Sequence, residues 1–530
     1  MNRRLNSTLL CVLLSAGAIG AAQAKTLVYC SEGSPEGFDP ARYTSGTTFD
    51  ASAEPLFNRL VEFERSSTKI EPALAQSYEI SVDGRMYTFK LRPNVKFHTT
   101  EYFKPTRDFN ADDVVFTFER LMNKEHPFNK AYGSPVYPYA ANIGLGNVDA
   151  IEKLAPDMVR FRLKSVEAPF LANLAMQVSS IQSAEYADKL LKDNNAADLN
   201  NKPVGTGPYV FKRYDKDEQI RYDLNAVYWR GKPKHDGLVF AITKDSAVRV
   251  QKLKAGECQL ASYPKPQELE AIRADKNLKV QQMNGLNVGY LAFNTAKKPF
   301  DNRDVRIALS MAINKKAIIG AVYAGAGVVA SNPYPATIWG YNKTLKDPVY
   351  DPAAAKKLLA KAGFPNGFET DIWAMPVQRP YNPDGKKMAE IIQADWAKIG
   401  VNAKIVQYEW GEYLKRGRAG EHQTLLLGWT GDNGDPDNFL NTLLSCASID
   451  SNNYARWCNK DFDELVIKAK QTINIAERTK LYEQAQVVFK REAPWVTVAH
   501  SVVSQPMRRE LEGFKMSPFG RVITYGSELK

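Results

Sequence analysis

The chain has 530 residues, 44% of them hydrophobic and 24% charged, with a formal net charge of +11. That length exceeds what one hydrophobic core can serve, so two or three globular units are expected. Acids and bases are interspersed rather than blocked, which suits a soluble surface and argues against a nucleic-acid partner.

The first residues read as a targeting segment. Arg3 and Arg4 form a basic start, Leu9 to Ile19 is largely apolar, and Ala22-Gln23-Ala24 is a small-x-small cleavage site. Residues 1–24 are therefore expected to be a signal peptide cleaved after Ala24, leaving an exported chain that starts at Lys25. The apolar run falls short of the ~20 residues that span a bilayer. Cys11 lies inside that run, and a lipid anchor there would leave much of the run on the mature chain. Processing lowers the formal charge from +11 to +9, because Arg3 and Arg4 leave and no acid does. Four cysteines remain, and an even number in an exported chain suggests two disulfides. Cys446 and Cys458 are close in sequence and pair on that ground, which leaves Cys30 with Cys258. Free thiols or a metal site stay as alternatives, although no Cys-x-x-Cys occurs.

Thr26 to Cys30 reads as a first strand and Ser31 to Pro40 as a loop. The segment Thr44-Ser45-Gly46-Thr47-Thr48 is small and polar, and Ala51 to Leu60 looks helical. Alternation on either side of Asp83-Gly84, with Tyr78 and Ile80 before it and Tyr87, Phe89 and Leu91 after it, signals a hairpin. Asn110 reads as the N-cap of a helix over Val114 to Arg120. Val204 to Tyr209 is a tight loop before a strand, and its Gly-Thr-Gly is no phosphate loop because no Gly-Lys-Ser/Thr follows. From about Gly285 the pattern changes. Val288 to Asn294 is a strand, Val305 to Ile313 an amphipathic helix, Asp351-Pro352 the start of a helix that Gly363 ends, and Glu369 to Trp373 a strand. Met388 to Trp396 is a helix and Val401 to Val406 the next strand. Alternating elements over 285–502 give one α/β lobe. The tail from 503 to 530 is too short for a domain and is expected to return to an N-terminal lobe of residues 25–284. Two lobes joined by two crossings make a hinge architecture.

Leu425-Leu426-Leu427 is a short apolar run, read as a buried strand, and the Gly-, Asp- and Asn-rich stretch Gly428 to Asn438 follows it. Ligands of open α/β sheets bind beyond the carboxyl ends of strands. Asp432 sits there, three residues past Trp429, and a carboxylate beside an aromatic ring suits an ammonium group. The same composition also serves as an ordinary turn. An EF-hand is the weaker reading, because its third, fifth and sixth positions would be Gly434, Pro436 and Asp437.

Several stretches carry a resemblance. They are Pro72-Ala73-Leu74-Ala75, Tyr87 to His98, Ala111-Asp112-Asp113-Val114, Pro203 to Tyr209, Tyr228 to Pro233 and Asp304 to Leu309. Together with Cys30 to Phe38, Met375 to Pro383 and Gly428 to Asp437, they resemble the family 5 extracellular solute-binding proteins over essentially the whole mature chain. The resemblance implies a two-lobed periplasmic binding protein fold of the α/β class, with an extra subdomain of the large lobe over about 57–206. It implies that Asp432 meets the N-terminal ammonium of a bound dipeptide and Arg379 its C-terminal carboxylate. Thr44, Ser45 and Gly46 would hydrogen-bond the peptide backbone, and Tyr381 and Trp429 belong to the same matching stretches. It also implies the disulfides Cys30–Cys258 and Cys446–Cys458, a monomer, and delivery to an inner-membrane ABC permease. Relatives that take longer peptides, haem or another small zwitterion share the scaffold.

No cofactor is expected, and the enzyme reading is poor. The five histidines are scattered without His-Glu-x-x-His, and there is no Gly-x-Ser-x-Gly. Ser66-Ser67-Thr68-Lys69 matches Ser-x-x-Lys, but its companions Ser-Asp-Asn and Lys-Thr-Gly are missing. A chaperone or adhesin would need an exposed apolar surface.

Overall fold

The structure is a computed structural model that describes residues 26–140 and 143–530; the expected signal peptide 1–24, its cleavage site, Lys25 and Cys11 lie outside the described residues. Among the described residues no helix is long and apolar enough to cross a membrane.

A strand of 14 residues, Trp495–Arg508, organises the chain. Its first half pairs antiparallel with Asn287–Phe293 and its second half with Leu278–Asn284, in register from Asn284↔Val502 to Leu278↔Arg508. Two half-sheets therefore meet along one strand. On one side the order is Asn402–Val406, Glu369–Trp373, Thr424–Thr430 and Asn287–Phe293; on the other it is Leu260–Ala261, Thr26–Ser31, Gly237–Ile242, Gln219–Leu224 and Tyr209–Asp215. Both sides combine parallel and antiparallel pairs and carry helices, an α/β arrangement. The chain crosses between the halves at Gly285 and again at Ser501–Val502, side by side, and Gly285 N–H donates to Ser501 O at 3.0 Å. A Cβ at Gly285 would stand 2.9 Å from that carbonyl and 2.0 Å from Asn287 Nδ2, so the approach requires glycine.

Ala75–Ile80 and Met86–Leu91 form the hairpin read from their alternation, and with Met158–Leu163 and Val148–Ala155 they build a separate four-stranded antiparallel sheet. The helix Ala111–Met122, capped by Asn110 as its sequence suggests, covers it. Arg120 on that helix is buried and forms a two-pronged pair with Asp39, both bonds 2.8 Å, which ties the sheet to the loop after the first strand.

The helix expected over Ala51 to Leu60 lies earlier. The chain is helical over Gly46–Ala51 and Ala53–Leu56, then extended. Tertiary bonds take the backbone there: Leu56 O accepts from Gly207 N, Asn58 O from Ile181 N, and Leu60 O from Ala73 N and Ala75 N. A Cβ at Gly205 would lie 1.9 Å from Leu56 O, so the Gly-Thr-Gly stretch serves close backbone approach.

Cys30 lies against Cys258 and Cys446 against Cys458 at disulfide distance, with Cα separations of 5.8 and 4.5 Å. The pairs close loops of 228 and 12 residues. Replacing the first pair by alanine is expected to cost about 5 kcal/mol and the second about 3 kcal/mol, because the longer closed loop restricts the unfolded chain more. Denaturant titrations of the two double variants check this, and equal losses would refute the loop-length argument.

Candidate functional site

A narrow cavity of about 70 Å³ lies where the two half-sheets meet, and Thr44, Ser45, Gly46, Arg379, Tyr381, Trp429 and Asp432 all line it. The strand Thr424–Thr430 runs along its wall, and Asp432 stands two residues past the strand's end. The helix Asp437–Leu444 supplies Asn438, whose Oδ1 accepts from Trp429 Nε1 (3.0 Å) and from Asp432 N (2.8 Å). One amide thus orients both the ring and the carboxylate. Gly428 lets the Tyr381 ring lie on the strand, because a Cβ would be 2.1 Å from Tyr381 Cδ2. Tyr323 Oη donates to the Tyr381 carbonyl at 2.6 Å and holds that loop.

The Asp432 carboxylate is 2% exposed. Tyr139 Oη donates to Oδ2 at 2.6 Å, and the Arg521 guanidinium pairs with Oδ1. Burial pushes the Asp432 carboxyl above its ordinary range, and the Arg521 charge only partly offsets it. Arg379, 6% exposed, donates through Nη1 to Glu32 Oε1 and through Nη2 to Thr47 Oγ1, both at 2.9 Å. Its guanidinium also faces the Trp410 ring at 5.3 Å. Burial pushes the Glu32 carboxyl up, but the Arg379 charge and the Thr47 hydroxyl outweigh it and hold Glu32 below its ordinary range.

Each of the two opposite charges therefore has a partner from across the junction. Asp432 and Arg379 come from the segment 285–502, whereas Arg521, Tyr139, Glu32 and Thr47 come from outside it. These four escaped the sequence reading. Glu32 and Thr47 lie within or beside stretches that carry the resemblance, whereas Tyr139 and Arg521 have no local signal. Thr44, Ser45 and Gly46 open the short helix Gly46–Ala51, and Arg418 Nη2 donates to Thr44 Oγ1 at 3.3 Å. Among the described residues no group of three or more His, Cys, Asp or Glu side chains is placed to hold a metal ion.

Behind the site, Asp437 is 1% exposed and its Oδ1 has no hydrogen-bond partner. Burial, with Asp435 nearby, pushes its carboxyl up to about 8. The fold thus keeps a proton that the unfolded chain loses near pH ~4, and stability falls as pH rises from roughly 4 to 8. Asp437→Asn removes that fall. We expect a gain of roughly 2–4 kcal/mol near pH 8 and almost none near pH 4. Thermal unfolding across that range checks it, and an equal gain at both ends would refute the assignment.

The model of the bacterial extracellular solute-binding proteins, family 5 Middle, matches residues 69–451. Di/tripeptide-binding protein 1 of Pseudomonas aeruginosa (strain UCBPP-PA14) is 55% identical over 524 residues, 98% of this chain and 97% of the relative. Heme-binding protein A of Haemophilus influenzae (strain ATCC 51907 / DSM 11121 / KW20 / Rd) is 50% identical over 502 residues, 94% of this chain and 92% of the relative. The crystal structure of a dipeptide binding protein from Pseudoalteromonas sp. SM9913 in complex with Met-Leu superposes with a TM-score of 0.92 at 40% identity, covering 96% of this chain and 100% of that one.

Proposed function

We propose, for a chain that belongs to the bacterial extracellular solute-binding proteins of family 5, the capture of a dipeptide between its two lobes and its delivery to an inner-membrane ABC permease. The observation that carries this reading is a buried carboxylate, Asp432, and a buried guanidinium, Arg379, on the wall of one narrow cavity. A dipeptide is a zwitterion whose end charges lie roughly 5–7 Å apart, given ~3.8 Å between successive Cα atoms. Burying either charge unpaired costs several kcal/mol. Asp432 takes the ammonium and Arg379 the carboxylate, for which its fork is suited. Thr44, Ser45 and Gly46 bond the peptide backbone, and Trp429 and Tyr381 flank it. In this reading the large lobe comprises 25–284 and 503–530, with an extra subdomain over about 57–206, and the second lobe 285–502. The protein acts as a periplasmic monomer, released by cleavage after Ala24.

A second reading, haem, rests on the 50% identical Heme-binding protein A. The dipeptide is favoured because Asp432 and Arg379 set opposite charges on one cavity wall, matching the two ends of a zwitterion. Mass spectrometry of ligand released from denatured protein, with calorimetry on a peptide panel, tests the choice. Released dipeptides, with dipeptides binding above tripeptides and both above free amino acids and longer peptides, are the expected result. Haem alone, or tighter binding of long peptides, would overturn it.

A further inference from the structure

A second cavity, of about 830 Å³, lies within the lobe 285–502 and shares no lining residue with the first. It is bordered by the start of the helix Lys315–Tyr323, the irregular segment 346–350, the end of the helix Ile475–Glu492 and the start of the long strand, and opens to solvent. Ile307, Val329, Val349 and Tyr350 carry its accessible apolar surface, with Ile313, Phe489, Trp495 and Val496 packed beneath. At the polar end the Asp347 carboxylate stands between two ammonium groups, Lys315 on Oδ2 and Lys490 on Oδ1. The side chains of Lys315, Asp347 and Lys490 are only 11, 15 and 19% exposed. Lys316, Lys346 and Arg491 complete a lining of five cations and one carboxylate.

One carboxylate balances one of the two half-sequestered ammonium groups. The other keeps a net positive charge that uncharged oxygens meet, Ser331 O on Lys490 Nζ and Ala330 O and Thr497 Oγ1 on Lys315 Nζ, where water screens it poorly. Burial pulls the Lys315 ammonium down to about 8 even with Asp347 beside it, in keeping with that incomplete compensation. An anion relieves the excess, and the apolar walls provide for a hydrocarbon body. The volume falls in the range of small-molecule sites, roughly 300–1,000 Å³.

We propose that this cavity is a second ligand site that binds a small amphipathic monocarboxylate, with its head on Lys315 and Lys490 and its body against Val349 and Tyr350. Asp347 competes with the ligand head for the same two ammonium groups. Two substitutions at one cluster therefore have opposite effects. Lys490→Gln leaves Asp347 and Lys315 balanced and lowers the attraction for an anion at the head position. Asp347→Asn frees both ammonium groups and increases it. A cluster that only supported the fold would weaken binding in both cases.

Equilibrium dialysis of the full-length mature protein against decanoate, with saturating dipeptide present to occupy the first cavity, tests this. One-to-one binding is expected, weakened at least ~10-fold in Lys490→Gln, tightened in Asp347→Asn, and at least ~10-fold weaker for decanol. Circular dichroism confirms that each variant is folded. Should Lys490→Gln fail to fold, Asp347→Asn and the decanol comparison decide. No saturable binding below ~1 mM, equal binding of decanol and decanoate, or weakening in Asp347→Asn would each overturn the proposal. Because peptide occupancy is held constant, that failure leaves the dipeptide reading untouched.

Discussion

Asp432→Ala is expected to raise the dissociation constant for a dipeptide by about 10³-fold, roughly 4 kcal/mol, which is the scale for truncating one member of a buried charge pair. The loss has two parts. The ligand's ammonium loses its carboxylate, and Arg521, left at the same spot, then faces the ammonium with a like charge. Arg521 and Asp432 lie on opposite sides of the junction. Breaking their pair therefore weighs on the closed arrangement of the lobes more than on the folding of either, since an opened junction lets water reach Arg521. Asp432→Ala/Arg521→Met should accordingly recover part of the affinity that Asp432→Ala loses. Titration calorimetry on the three variants is the measurement. Affinity within threefold of the parent in Asp432→Ala would sink the ammonium assignment, and a double variant no better than the single one would sink the role given to Arg521. The pH dependence follows the same end of the site. Burial raises the Asp432 carboxyl, so binding is lost as pH falls through its raised value; Glu32, held below its ordinary range, keeps Arg379 anchored at that pH.

What could be read from sequence follows the range of the interaction concerned. The run Leu425 to Leu427 announced a buried strand, and the turn-forming residues after it announced a loop, because both are local properties. The position of Asp432 just past that strand came with them. Arg379 was different. It lies in a loop between the strand Glu369–Trp373 and the helix Gly385–Ala397, where no periodicity marks it, and only the family resemblance singled it out. The partners of these two residues lie 89, 293, 332 and 347 positions away, beyond any local pattern. The shift of the first helices to Gly46–Leu56 has the same origin, since contacts with Gly207, Ile181 and Ala73 set where the chain turns extended. The long strand Trp495–Arg508 is a further case. No strand is read there from sequence, where a lobe boundary is placed at 502/503, and only pairing shows that it belongs to both half-sheets and so carries the junction on which the cavity sits.

Amidating the C-terminus of a dipeptide should weaken binding by about 2–5 kcal/mol in the parent and by little in Arg379→Ala. The neutral amide leaves the buried Arg379 guanidinium with Glu32 as counter-charge and without the ligand's carboxylate. Glu32 already occupies Nη1 and Thr47 Nη2, so the group is held in one orientation before the ligand arrives. Preorganisation of that kind makes the site selective for length. A free amino acid carries both charges on one Cα, closer together than a dipeptide's, and is expected to leave one of Asp432 and Arg379 unmet. A longer peptide brings a neutral amide to Arg379 and leaves that guanidinium without the ligand carboxylate. The four affinities, acid and amide against parent and Arg379→Ala, form a double-mutant cycle whose coupling energy isolates the contact from the general cost of either change. A coupling of ~2 kcal/mol or more identifies Arg379 as the reader of the carboxylate. Equal losses on amidation in the two backgrounds would show that the carboxylate is met elsewhere, and the length selectivity would then have to come from the cavity walls alone.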